Sequence, residues 1–200
     1  MKMRFNKKTI IITSAALLLL VAVGTTLAYV FTGSGAVTNT FTPSKVACAV
    51  VENGLNTENT NHIVEIGTSK SNVQIKNTGD TEAYIRVAVV VNWMSADGTK
   101  VWAQKPVVGT DYSIAYNLTA DGWFEGSDGF YYYSKPVAPG ALTPDALISA
   151  AEVRKNGPTD TDGKPYYLSI EIVASAIQST PASTVTSNWG VAVSGGTISK

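Results

Sequence analysis

The 200-residue chain has one cysteine and one histidine, and these two scarcities remove much familiar chemistry. A single thiol, Cys48, forbids an intramolecular disulfide, so a packed core must hold the fold. A single imidazole, His62, leaves no histidine triad to assemble, and the spelling His62-Ile63-Val64-Glu65 lacks the paired histidines of a zinc-protease helix. No phosphate-binding glycine loop, dinucleotide fingerprint or CxxC pair is present. Charged residues make up 15% of the chain, against about 25% in ordinary soluble domains, so the surface must be rich in Ser, Thr and Asn. Catalysis is not expected, and no cofactor is called for.

Charge of one sign is also lacking. Lys2, Arg4, Lys7 and Lys8 are the only charges in the first 28 residues, which leaves eleven bases against fifteen acids in the remainder. A domain near −4 is a poor partner for nucleic acid, and no polybasic block invites a membrane surface. The one long apolar run lies at Thr9–Val23, about 15 residues and short of the roughly 20 that span a bilayer. With basic residues before it and small residues after it, it reads as a secretory signal peptide over residues 1–28. Cleavage is expected after Ala28, with Thr26 three positions before the scissile bond and Tyr29 as the new N-terminus. Membrane contact is then expected only through the uncleaved leader.

What is plentiful is alternation. Ala83, Ile85, Val87, Val89, Val91 and Trp93 occupy every second position, which puts all six on one face of a strand. Tyr166, Leu168, Ile170, Ile172, Ala174 and Ala176 do the same, as the natural partner face. Asn77-Thr78-Gly79-Asp80 supplies turn residues, and predicts that Val73–Lys76 folds back on the 83–93 strand as a β-hairpin. Further strands are expected over Lys45–Val51, with Cys48 a buried apolar side chain, and over 62–66, 100–103, 111–117 and 191–198. A strand or helical turn is expected over 145–153. Lys135–Pro144, rich in proline, is read as a crossing between sheets, and Pro181–Trp189 as a helical turn with Ser179 or Thr180 as its N-cap and Gly190 as its stop. The expected fold is all-β, a two-sheet antiparallel sandwich over residues 44–200.

Three stretches carry candidate function. Residues 29–43 are expected to be an extended segment with Val37, Asn39 and Phe41 on one face, suited to adding to the open strand edge of a neighbouring molecule. Trp123, Tyr131, Tyr132 and Tyr133 flank a glycine-containing turn and form a candidate aromatic surface for sugars or proteins. Asp160-Thr161-Asp162-Gly163 begins like a calcium loop but lacks its third oxygen donor and closing Glu, and is read as a solvated turn.

The leader with its continuation, VGTTLAYVFT from Val23 to Thr32, the stretch NTFTPSKV from Asn39 to Val46, and VQIKNTGDTEAYIR from Val73 to Arg86 together resemble the TasA/camelysin-like exported proteins of Gram-positive bacteria. The likeness spans most of the chain and is most specific in the leader and in the KNTGDT stretch. It implies a jelly-roll or Ig-like sandwich, export by a SipW-type signal peptidase, and a structural role outside the cell in biofilm-matrix fibres or at the cell surface. It further implies self-assembly, or assembly with related exported matrix proteins, by donation of Tyr29–Phe41 as a strand. The family includes a protein described as a metallopeptidase, but no zinc-ligand set is recognisable here, so that activity is carried to no residue.

Overall fold

The computed structural model describes residues 44–53, 63–66 and 69–199. In chain order the strands are β1 (Cys48–Asn53), β2 (Ile63–Val64), β3 (Ser69–Asn77), β4 (Ala83–Ser95), β5 (Tyr112–Tyr116), β6 (Trp123–Glu125), β7 (Tyr131–Tyr133), β8 (Ile148–Val153) and β9 (Tyr166–Gln178). Helix α1 (Ala182–Trp189) and strands β10 (Ala192–Ser194) and β11 (Thr197–Ser199) follow. One antiparallel sheet has the order β1-β3-β8-β5 and the other β2-β9-β4-β7-β6. Val73, Ile75 and Ile148 from the first meet Ile85, Val87, Trp93, Leu168 and Ile170 from the second in one core. The alternation read along β4 and β9 is therefore the inward face of the second sheet.

The chain changes sheet at every connection in the sandwich except the β6–β7 hairpin. This corrects the expected hairpin at 77–80. β3 pairs with β1 and β8, not with β4, and Asn77–Asp80 is a corner between sheets. Its groups bond to neighbours outside the turn. Thr78 and Gly79 donate their amides to the Ala47 carbonyl, and the Asp80 amide donates to the Lys45 carbonyl. Asp80 Oδ1 accepts from the Lys45 amide at 2.7 Å. Residues 45–47, expected to begin the first strand, serve this corner instead, and β1 starts at Cys48.

β4 and β9 lie side by side over thirteen residues, from Ala83 opposite Gln178 to Ser95 opposite Tyr166. Their apolar faces are thus one continuous surface, not two that oppose each other. The crossing read at Lys135–Pro144 is present: Val137 bridges Ala83 of the second sheet, and Leu142 bridges Lys76 of the first. The 145–153 stretch resolves as strand β8, whereas 100–103 contributes only a bridge from Val101 to Met94.

The outer face of the second sheet is covered at one end. Tyr84, Val185 and Ile198 form a second buried cluster, with Phe124, Ile177 and Trp189 packed against it. The predicted helix stop holds, since Gly190 is left-handed at φ 68° and its amide bonds the Thr186 carbonyl. The start differs: Pro181 occupies the N-cap and no side chain caps the helix. The predicted last strand is a hairpin, because Gly195 and Gly196 at φ 57° and 77° fold it in two.

The turn after β4 is held by one carboxylate. Asp97 accepts from the Ser95 hydroxyl at 2.6 Å and from the Thr99 amide and hydroxyl at 3.1 and 2.8 Å. Those bonds, Ser95 first, lower its pKa from 3.8 to about 2. A depressed folded pKa means that the carboxylate's support for the turn is complete above about pH 4 and disappears as pH falls through about 2. The Thr99 amide resonance is expected to hold its position from pH 7 to pH 3 and to move only below that. A shift centred near pH 4 would contradict this network.

Candidate functional site

The most distinctive feature of the sandwich is where its pairing stops. On the side of β9 away from β4, the only partner among the described residues is β2, which meets Leu168 and Ser169. The Ile170 carbonyl accepts from the Lys70 ammonium at 2.8 Å, so it points away from β4. Backbone groups of a strand alternate sides, and the β4–β9 register runs without a shift. Ile172, Ala174, Ala176 and Gln178 therefore present their amides and carbonyls to the same side as Ile170. Among the described residues no strand takes them up. This edge lies near β1, and the residues packed half-buried against the core here are small: Cys48, Val50, Ala174 and Ala176.

Lys70 marks the end of this open edge. Its side chain is wholly buried, and its Nζ lies 2.8 Å from Oε2 of Glu52 on β1, whose side chain is 18% exposed. The contact is close but lacks hydrogen-bond angles, so the attraction is ionic. Plain alternation from Val73 and Ile75 would turn Lys70 outward. Asn72, at φ +51°, re-phases the strand, and the position opposite, around Ser149 and Ala150 of β8, carries a matching irregularity against β5. Asparagine tolerates this left-handed geometry better than most residues. That asparagine was the only sign in the sequence that a lysine would point into the core.

The four aromatic side chains read as a candidate surface are buried or half-buried. Trp123 is fully buried, with its indole N–H donating to the Asp145 carbonyl at 2.9 Å. Tyr133 packs edge-on against it on the inner side of the sheet. Tyr131, half-buried, stacks on Tyr116 at 4.6 Å. Tyr132 faces the other way but is also buried, stacked on Phe124 and edge-on to Trp189. The correction has a simple cause: β6 and β7 are three-residue strands, and α1 covers the face that would otherwise be wet.

Around Tyr132 lies a cluster that composition did not reveal. The Arg86 guanidinium sits 4.2 Å from the Phe130 ring centre and 4.9 Å from that of Trp189, an arrangement that ties β4 to the β6–β7 turn and to α1. Asp128 accepts from the Tyr132 hydroxyl at 2.6 Å. Burial acts to raise the Asp128 pKa, but the bonds from Tyr132 and the Phe130 amide, with the Arg86 charge, outweigh it and hold the pKa below the ordinary value. Burial first, then the bond to Asp128, raises that of Tyr132. The cluster leaves Arg86 Nε buried without a hydrogen-bond partner and joins the C-terminal layer to the sandwich through its ring and carboxylate contacts.

Burial raises the Cys48 pKa, the direction opposite to an activated thiol. Asp160 bonds the amides of Asp162 and Lys164 as a closed turn. Among the described residues no three His, Cys, Asp or Glu side chains gather as a metal site, and no helix is long and apolar enough to cross a membrane. His62, the cleavage residues Thr26, Ala28 and Tyr29, and the donor residues Val37, Asn39 and Phe41 lie outside the described residues. No protein-family model, curated protein or solved structure matches this chain.

Proposed function

We propose that this protein is a secreted structural component of an extracellular or cell-surface matrix, released by a SipW-type signal peptidase after Ala28, and that it assembles by β-strand addition. The observation that carries the proposal is the edge of β9 from Ile170 to Gln178, which no strand among the described residues takes up. A nine-residue edge is about 30 Å long at roughly 3.3 Å per residue, so the thirteen residues Tyr29–Phe41 are long enough to lie along it. An incoming strand would complete the backbone pairing of β9. With Val37, Asn39 and Phe41 on one face, it would set larger side chains against Cys48, Ala174 and Ala176. The partner is a second copy or a related exported matrix protein, as the resemblance implies. We also take the alternation of strands between sheets, with the neighbour order β2-β9-β4-β7, as a jelly-roll arrangement, the finer fold that the resemblance implies. The proposal assigns no catalytic residue, no cofactor and no nucleic-acid contact.

Protein beginning at Tyr29 is expected to form filaments visible by electron microscopy and to elute in the void of a sizing column. Deletion of residues 29–40 is expected to leave a folded monomer that forms none. Unchanged assembly of the deleted form would refute strand donation by this segment, and a monomer from the parent protein would refute self-assembly.

A further inference from the structure

At the end of the sandwich bearing the β4–β5 connection, two clefts of about 500 and 560 Å³ lie on either side of the Lys155–Gly157 segment. That segment passes directly over Trp93: a Cβ added at Gly157 would lie 2.8 Å from Trp93 Cε3, and closer still to the Tyr166 carbonyl oxygen. The glycine therefore lets the backbone lie against the indole and divides the two spaces. Both volumes fall in the range typical of small-ligand sites.

The larger cleft has a specific chemistry. Trp102, half-buried and edge-on to Tyr166 at 5.1 Å, lines it. Gln104 and Asn156, both exposed, line it too. Lys105 is exposed on its wall. Lys155 is 65% exposed and reaches Asp111 at only 3.8 Å, while Asp111 itself is 9% exposed and accepts from the Val107 amide. The acid is thus engaged with the protein, and one lysine of the pair exceeds what it can balance. A net positive cleft in a domain that carries excess acid is a local departure. Its rim is apolar as well, with Val107 56% exposed.

We propose that this cleft binds a saccharide bearing carboxylates, a uronic-acid oligomer. A pyranose offers C–H groups that pack on an indole and hydroxyls that bond amides, and its carboxylate calls for a cation in a half-open site. Trp102, the amides of Gln104 and Asn156, and Lys105 with Lys155 supply these three contacts within one space. The site is remote from the Trp123–Tyr133 aromatics and independent of strand addition.

The probe is an oligogalacturonate, titrated calorimetrically into the protein beginning at Tyr29, beside a neutral galactose oligomer of equal length. The uronate is expected to bind, to weaken as salt is raised, and to exceed the neutral oligomer by about tenfold, equivalent to about 1.4 kcal/mol. Trp102→Ala and Lys105→Glu are each expected to reduce uronate affinity by about tenfold or more. Trp102 packs on Tyr166, so Lys105→Glu and Gln104→Ala, at exposed positions, test the site without threatening the fold. Absence of uronate binding, equal binding of the neutral oligomer, or affinity untouched by Lys105→Glu in a folded variant would overturn the proposal.

Discussion

Replacement of Lys70 by Met is expected to lower stability by about 3 kcal/mol, and addition of Glu52→Met to that variant is expected to restore it to within about 1 kcal/mol of the parent or above it. The Lys70 side chain is wholly buried, and its ammonium holds Glu52 of β1 and the Ile170 carbonyl of β9, each at 2.8 Å. Methionine keeps the unbranched stem but leaves the Glu52 charge without a counter-ion where 18% of its side chain meets solvent. Breaking a fully buried pair costs roughly 3–5 kcal/mol, and the partial exposure of Glu52 puts this one at the lower end. Replacing both partners removes the stranded charge, which is why the double variant recovers. Urea midpoints for the four proteins of the cycle measure this directly. If Lys70→Met alone changes stability by less than about 1 kcal/mol, the Lys70 ammonium does not hold β1 and β9 together at this edge. The double variant also bears on assembly, because it leaves the Ile170 carbonyl open to an incoming strand.

The long strands were legible because each turns one alternating face to the core. In β4 and β9, period-two alternation coincides with burial of Ile85, Val87, Leu168, Ile170 and Ile172, and such a pattern has no helical counterpart. The Gly190 stop and the Asp160 turn were legible for a local reason, since their geometry is set by residues adjacent in sequence. What could not be read was which strands are neighbours. Asn77-Thr78-Gly79-Asp80 has hairpin composition, but composition specifies a reversal and not the sheet on which the returning strand lands. The aromatic stretch misled for a related reason: Tyr132 would be a surface residue on an isolated hairpin, and it is buried only because a helix fifty residues later packs Trp189 against it. Likewise, which part of β9 lacks a neighbour among the described residues is a property of the pairing and not of the β9 sequence.

Asn77→Asp, a change of one terminal group, is expected to be the most damaging single substitution at the sheet-crossing corner. Asn77 is fully buried. Its Oδ1 accepts from the Gly79 amide at 2.9 Å, and its Nδ2 donates to the Thr81 and Val137 carbonyls, both at 2.8 Å. One side chain thus closes the corner and pins it to the crossing segment at Val137. A carboxylate keeps the first bond and turns the other two into oxygen facing oxygen. Two lost bonds at about 1 kcal/mol each, together with a desolvated charge, give a loss of at least about 3 kcal/mol at neutral pH. The pH dependence identifies the cause. Burial and the two carbonyls would raise the folded pKa of the new carboxyl above its unfolded value. The neutral acid can still donate one bond, so the deficit relative to the parent is expected to be smallest below about pH 4 and to grow as pH rises toward the folded pKa. Denaturant midpoints of both proteins, measured from acid to neutral pH, follow that growth. A deficit that stays constant over this range would mean that the amide does not face these two carbonyls, and that the corner is held by its backbone bonds to Lys45 and Ala47 alone.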